Sequence, residues 1–135
     1  GSSKKNNYET IIAEQTRLEG EITAPGDIYI GGVISGQIKA KNIQVGQSAK
    51  VNAKIEAENI VIAGEVKGAI KAGEELEITK TGRMIGDVDI KILFIASGAV
   101  FNGQCNMARK AKESINLTEK FSLKETITNK QSQIT

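Results

Sequence analysis

The side chains that most often carry acid–base and metal chemistry are scarce in this chain. Among its 135 residues there is no histidine, and the single cysteine is Cys105. Imidazole is the commonest general base near neutral pH and the commonest protein ligand for zinc. Catalysis by a histidine base and zinc binding through histidine are therefore both excluded.

The remaining candidates for chemistry are isolated. Asp87 and Asp89 are the only aspartates close together in sequence, and we interpret them as a solvated strand face rather than a metal site. Gly31-Gly32 and Gly46 are not followed by the Gly-Lys-Ser/Thr of a phosphate-binding loop. Cys105 has no base to activate it and aligns with buried apolar positions. We therefore expect no enzyme activity, no cofactor and no metal.

Composition narrows the class of protein further. A lone cysteine cannot form an intramolecular disulfide, which favours a reducing compartment. No apolar run approaches the 18 residues of a membrane-spanning helix, and a net charge of +2 gives no reason to predict nucleic-acid binding. Aromatic residues make up 4% of the chain and apolar residues 39%, with 14 glycines. This mixture predicts a core of thin aliphatic layers.

The strongest pattern in the sequence is a repeat that runs from Ile28 to Cys105. Each unit opens with two apolar residues separated by one residue, and units begin about 15 to 17 residues apart. A second block of the form apolar-x-small-x-apolar follows, and Leu18-x-Gly20-x-Ile22 is an earlier copy of it. Self-similarity at a short period is typical of solenoids. The opening pairs are Ile28/Ile30, Ile43/Val45, Ile60/Ile62, Leu76/Ile78 and Leu93/Ile95.

Apolar and other residues alternate strictly within each unit, which is the period of a β-strand. The connections between units are too short for the crossover helix that ordinary parallel sheets require. We therefore predict an all-β fold, a single-domain right-handed parallel β-helix of about six short rungs, where a rung is one coil of the chain. Enzymes built on β-helices need imidazoles or clustered carboxylates, and this chain offers neither.

Equivalent positions in successive rungs form a column along the solenoid, and two such columns indicate how the rungs stack. The central position of the second block is always small, either because the backbone needs positive φ or because the interior is crowded. We favour interior crowding, since Ala53 shares this column with the glycines. The residue after each second block alternates in charge along Lys39, Glu56, Lys71 and Asp89. This alternation favours a single register, although any solvated face also carries mixed charges.

The chain divides into a repeat body, residues 10–107, and two polar tails. In residues 1–9, Gly1-Ser2-Ser3 is interpreted as a cloning remnant. Residues 108–135 form a basic C-terminal tail with six Lys or Arg and three Glu. Its apolar residues have strand-like spacing, so it either docks on a partner or covers the last rung. They are Ile115, Leu117, Phe121, Leu123 and Ile127.

The order of rung types resembles the bactofilin family over residues 10–107. The resemblance rests on segments such as Ile-Ala-Gly-x-Val-x-Gly-x-Ile (62–70) and Gly-Ala-Val-Phe-x-Gly-x-Cys (98–105). It implies a right-handed triangular β-helix, nucleotide-independent filaments and a bacterial cytoskeletal scaffold. It also implies peripheral contact with the inner membrane and recruitment of cell-wall enzymes. We accordingly expect a cytoplasmic location, extending to the inner face of the cytoplasmic membrane.

An open β-helix supports the same conclusion on physical grounds, because its two ends present unpaired strand edges and uncovered apolar side chains. We predict end-to-end stacking of identical chains, with Phe101 completing its burial against a neighbouring subunit. The alternatives are a monomeric binding module capped by its tails and an enzyme relative that lost its histidines. No small-molecule substrate is expected. The predicted interface comprises Leu93, Phe94, Ile95, Val100 and Phe101 at the C-terminal end and Ile11, Ile12 and Leu18 at the N-terminal end.

Overall fold

The structure, a computed structural model, describes residues 10–107, and every regular element in that range is a β-strand. Both predicted tails lie outside the described residues. Within residues 10–107 there is no helix long and apolar enough to cross a membrane. The strands are β1 (Thr10–Ile12), β2 (Arg17–Thr23), β3 (Asp27–Ile30), β4 (Val33–Lys39), β5 (Asn42–Val45), β6 (Lys50–Ile62), β7 (Glu65–Ile78), β8 (Arg83–Ile90), β9 (Ile92–Ile95), β10 (Val100–Asn102) and β11 (Cys105–Met107).

Six rungs follow one another, and each contributes to two parallel ladders. The opening ladder contains β1, β3, β5, the second halves of β6 and β7, and β9. The second ladder contains β2, β4, the first halves of β6 and β7, β8, and finally β10 with β11. Each rung pairs with the next in the same direction, so the chain coils without crossover helices. The predicted parallel β-helix is confirmed, and its right-handed coil stays a prediction.

The core consists of columns of aliphatic side chains that point into the solenoid. Alternation places every second residue of a strand inside, and the ladder register sets like residues above one another. Ile43 lies over Ile60, and Ile60 over Leu76, all of them buried. Aliphatic side chains of similar size fill successive layers, which explains how a chain with few aromatic residues has a continuous core. Further members are Ile28, Ile30, Ile34, Ile38, Val45, Val51, Ile55, Ile62, Val66, Ile70, Ile78, Met84 and Val88.

A column of glycines marks a corner in the middle of the second block. Glycines at this position have φ between +127° and +157°. At Gly68, where φ is +139°, a Cβ atom would collide with the carbonyl oxygen of Ala53 on the preceding rung. The expectation that interior crowding selects small residues here is therefore wrong for these glycines. Because of its positive φ, a Cβ atom on Gly68 would point at the backbone of the neighbouring rung. Ala53, in the same column, is buried.

Polar side chains at the start of the opening strands form a ladder along the solenoid. Asn59 donates a hydrogen bond from Nδ2 to Oδ1 of Asn42 at 2.9 Å, and Asn42 donates to Oδ1 of Asp27 at 2.8 Å. Each of these residues is the register partner of the next. Because a slip of one residue would break these bonds, the ladder helps to fix the register between rungs.

The alternating charge column has the predicted register. Lys39 is the partner of Glu56, Glu56 of Lys71, and Lys71 of Asp89. The ion pairs found among the described residues lie elsewhere, at 3.8 Å for both Lys67–Glu65 and Lys91–Glu74. Exposed charges contribute about 0–1 kcal/mol per pair, so this column assists register and contributes little to stability.

Candidate functional site

The two ends of the solenoid present strand edges without partner strands among the described residues. At the N-terminal end, β1 and β2 pair on one side only, with β3 and β4. At the C-terminal end, β9 pairs with β7, and both β10 and β11 pair with β8. An unpaired parallel edge carries free backbone donors and acceptors, so each end is a template for a further strand.

At these ends, the inward-pointing side chains have a neighbouring rung on one side only among the described residues. Leu76 is 0% exposed within the solenoid, whereas Leu93, its partner in the last rung, is only partly buried. Ile95 in the last rung and Leu18 in the first rung are likewise partly buried. The apolar surface that remains on these side chains is what a stacked rung would cover. Three predicted interface residues therefore lie where end-to-end contact would bury them.

Phe101 and Ile12 differ from this expectation, because both are buried within the single chain. Phe101 is 3% exposed and lies beside Met84, its partner in the preceding rung. Its ring points into the solenoid, and the prediction that it awaits a neighbouring subunit for its burial is wrong. Both residues belong to the core of the terminal rungs. Their part in an end contact stays a prediction.

Phe94, Val100 and Ile11 point outward, onto the sides of the solenoid. They are 53%, 43% and 62% exposed. Alternation explains this, because Phe94 lies between the inward residues Leu93 and Ile95. Sequence reasoning placed all of them at the ends and missed Ile92, which is 43% exposed on the same side as Phe94. The two-residue alternation that identified the core residues also predicts that the residues between them, such as Phe94, point outward.

Three candidates for chemistry, Asp87, Asp89 and Cys105, lie on adjacent strands, since Cys105 is the register partner of Val88. Burial, together with the negative charge of Asp89, raises the pKa of the Cys105 thiol to about 12. Cys105 is therefore a protonated core residue at neutral pH. Asp87 is exposed and accepts a hydrogen bond from the backbone N–H of Gln104 at 3.4 Å. The described residues contain no cluster of three or more potential metal ligands.

A broad concavity of about 930 Å³ runs along the side formed by the later part of the second ladder. Its outward residues mix both signs, with Lys39, Lys54 and Lys71 beside Glu56 and Asp89. Ligand sites usually bring a few polar groups together on one point, whereas these charges are spread along the solenoid. The concavity provides no localised binding chemistry.

The described part of the chain matches the model of a known protein family. The family model for bactofilins, described as polymer-forming cytoskeletal, matches residues 10–106. The chain belongs to the bactofilin family. The resemblance noted in the sequence is thereby confirmed.

Two curated bactofilins of Myxococcus xanthus (strain DK1622) are similar to the chain. Bactofilin BacO is 36% identical over 104 residues, which cover 76% of this chain and 82% of BacO. Bactofilin BacP is 30% identical over 107 residues, covering 78% of this chain and 45% of BacP. The chain thus spans most of one bactofilin and less than half of the other.

A solved bactofilin structure supports the same fold. The protein in a cryo-EM reconstruction of Thermus thermophilus bactofilin double helical filaments is 29% identical to this chain, with a TM-score of 0.68. The match covers 73% of this chain and 99% of that chain. A filament-forming relative therefore shares the β-helix described here.

Proposed function

We propose that this bactofilin assembles end to end into filaments that act as a cytoskeletal scaffold, without catalytic activity of its own. The observation that carries the proposal is the state of the two ends. Leu93 and Ile95 at one end and Leu18 at the other keep apolar surface that their counterparts inside the solenoid lack. A stacked subunit supplies the missing rung, pairs the open strand edges and completes these columns.

The energetics require many contacts acting together. Full burial of a leucine or isoleucine side chain stabilises by about 1.5–3 kcal/mol, and these partly buried residues gain less. Association costs about 4–15 kcal/mol in lost translation and rotation. Several half-buried side chains and two sets of strand edges are therefore needed at each junction. A single polar substitution among them should shift assembly strongly.

Assembly should be indifferent to nucleotides and divalent metal. The sequence has no phosphate-binding loop, and the described residues have no cluster of potential metal ligands. We expect the same sedimented fraction and the same filaments in negative-stain microscopy with ATP, with GTP, with EDTA or with none of them. Filaments that require nucleotide, or that EDTA dissolves, would contradict this expectation.

The same microscopy separates the scaffold from a monomeric binding module whose tails cap its ends. If the protein is a monomeric module, microscopy should show particles of one subunit at all concentrations. The scaffold predicts filaments that lengthen as the protein concentration rises, because each added subunit forms the same contact as the last.

For the cell, we propose a role in supporting cell shape or in localising cell-wall enzymes, in the cytoplasm and at the inner face of the cytoplasmic membrane. A filament repeats each lateral surface once per subunit, and such multivalency raises the avidity of weak contacts by about 10²–10⁴. A pull-down from native cells with the full chain, compared with an assembly-deficient variant, identifies the partners. Enzymes retained by the polymer and lost from the monomer would support this role, whereas equal recovery would contradict it.

A further inference from the structure

The inward residues of the last rung are unequally covered. Leu93 and Ile95 of β9 are partly buried, and so is Met107, where the described chain ends. Phe101 and Cys105, on the second ladder, are buried. β9 pairs with β7 on one side, and its other edge has no partner among the described residues. The C-terminal end therefore presents one short strand edge with two half-buried side chains, a surface that fits a single added strand.

The described chain ends close to this surface. Met107 pairs with Ile90, and β9 begins at Ile92, two residues after Ile90. Elsewhere at most three residues connect the end of a second-ladder strand to the next opening strand. The seven residues 108–114 can span up to about 23 Å when extended, at about 3.3 Å per residue. The segment that begins at Ile115 is therefore long enough to return to the open edge of β9.

From its start, this segment has the format of a rung as far as the corner. In the rungs that open at Ile28 and Ile60, buried apolar residues occupy the first, third and seventh positions, and glycine occupies the ninth. The C-terminal segment thus supplies an opening pair and the first apolar residue of a second block, and it departs from the repeat at the ninth position. The corresponding residues are Ile115, Leu117, Phe121 and Leu123.

The missing glycine ends this rung at the corner. At the corner position Gly68 has φ of +139°, and a Cβ atom there would collide with the carbonyl oxygen of Ala53. No glycine follows Gly103 in the sequence, and Glu125 stands where Ile70 points inward. The segment can therefore cover the opening ladder, but it offers no surface on which the solenoid continues. Atypical terminal repeats of this kind act as caps in solenoids.

We propose that residues 115–121 dock as a half-rung on the open edge of β9, with Ile115 over Leu93 and Leu117 over Ile95, and that this docking competes with the stacking of another subunit. The inference rests on the end-to-end filament proposed above. A docked half-rung stands about 4.8 Å above one side of the end, so a subunit cannot stack there until it leaves. Filaments with like or unlike ends in contact all use C-terminal ends, so docking weakens assembly with either polarity.

Stacking prevails as the protein concentration rises. A stacked subunit pairs with the edges of β9, β10 and β11, whereas the half-rung pairs with β9 alone. Docking within one chain acts at an effective concentration in the millimolar range, which does not change with protein concentration. The half-rung therefore shifts assembly to higher concentrations and does not prevent it.

The first test compares two substitutions in the full chain. Leu117→Gln places a polar side chain at an inward position of the half-rung, and Ile127→Gln is the matched control beyond the corner. Sedimentation across a concentration series measures the concentration at which half of the subunits are assembled. An end that is open one tenth of the time binds about tenfold more weakly. We expect this concentration to fall about tenfold for Leu117→Gln and to stay unchanged for Ile127→Gln.

A disulfide tests the register of docking. Outward partners on adjacent rungs lie about 4.8 Å apart, within the Cα separation that a disulfide spans. Docking makes Asn116 the outward partner of Phe94, so Phe94→Cys combined with Asn116→Cys should cross-link within one chain under mild oxidation. Phe94→Cys combined with Ser122→Cys is the control and should cross-link much less. Cys105 is buried and does not compete. The cross-linked chain should stay as one subunit, and reduction should restore filaments.

Three results would overturn the proposal while leaving end-to-end assembly intact. These are an unchanged or higher half-assembly concentration for Leu117→Gln, equal cross-linking of the two cysteine pairs, or cross-linked chains that assemble as readily as reduced ones. Absence of filaments from the wild type, from Leu117→Gln and from the reduced cysteine variants alike would instead reject the proposed function on which the inference rests.

Discussion

Replacing Leu93 by lysine should abolish filaments and leave a folded, soluble chain of one subunit. Leu93 points inward in the last rung and is only partly buried, beside the open strand edge. In the monomer, the lysine side chain can extend past the end of the solenoid and keep its ammonium group in water. In a stacked junction the same charge would be enclosed without a partner, at a cost greater than the contact gains.

The expected size of this effect follows from the lost contacts. Full burial of a leucine side chain stabilises by about 1.5–3 kcal/mol, and the loss at the junction is smaller than this before the unpaired charge is considered, because Leu93 is already partly buried. Each 1.4 kcal/mol is a factor of ten in an equilibrium constant. With the charge included, the concentration at which half of the subunits are assembled should rise by at least about 100-fold. Sedimentation across a concentration series measures it, and filaments at the wild-type concentration would contradict the assignment of Leu93 to the interface.

Leu76→Lys is the matched control, since Leu76 occupies the same column one rung earlier. Leu76 is 0% exposed, with Ile60 on one side and Leu93 on the other. A lysine there has no path to water, and the cost should be about 5 kcal/mol or more, close to the whole stability of a small domain. We expect Leu76→Lys to lose its β-sheet circular dichroism signal. Phe101→Arg should follow Leu76→Lys rather than Leu93→Lys, because Phe101 is also buried.

Replacing Gly68 by alanine should destabilise the monomer by about 3 kcal/mol, through strain at positive φ and a collision of the new methyl group. The φ of Gly68 is +139°, and its Cβ would meet the Ala53 carbonyl oxygen. Two other glycines separate these causes. Gly20 has φ of +130° with nothing near a Cβ, and Gly73 has neither constraint beyond a distant contact with Glu58 at 3.9 Å.

The three alanine variants should therefore form a series. Gly20→Ala should cost about 1–2 kcal/mol from backbone strain alone, and Gly73→Ala should be neutral or stabilise by up to about 1 kcal/mol. Urea unfolding should be measured in the Leu93→Lys background, because polymerisation itself stabilises the folded state. Equal stability of Gly68→Ala and Gly73→Ala would show that the corner tolerates a side chain, against the structure.

Much of this fold could be predicted from sequence because equivalent positions in successive repeat units are the residues that pair between adjacent rungs. Pairs such as Ile43/Val45 and Ile60/Ile62 align as written, and the charge column from Lys39 to Asp89 falls on one line. In a β-helix, neighbours in space are one repeat apart in sequence, so aligning the units is equivalent to predicting the ladder.

The details that could not be predicted depend on backbone geometry and on the ends. Glycine is both small and able to adopt positive φ, so the pattern alone could not separate these causes once Ala53 shared the column. Phe101 looked like an unfinished contact because no further repeat unit follows it in the sequence, yet its ring lies in the interior of its own rung. Phe94 and Val100 were assigned to the ends by their position in the chain, whereas their side chains face sideways.

The central claim is that subunits stack along the solenoid axis, and the axial repeat of the filament tests it most directly. Cryo-EM or fibre diffraction of the assembled full chain measures both the strand spacing and the subunit repeat. Coaxial stacking predicts strands perpendicular to the filament axis, an axial spacing of about 4.8 Å, and a repeat of about 29 Å, or about 58 Å if like ends meet. Particles of one subunit at every concentration, or filaments whose strands run along the axis, would contradict the account.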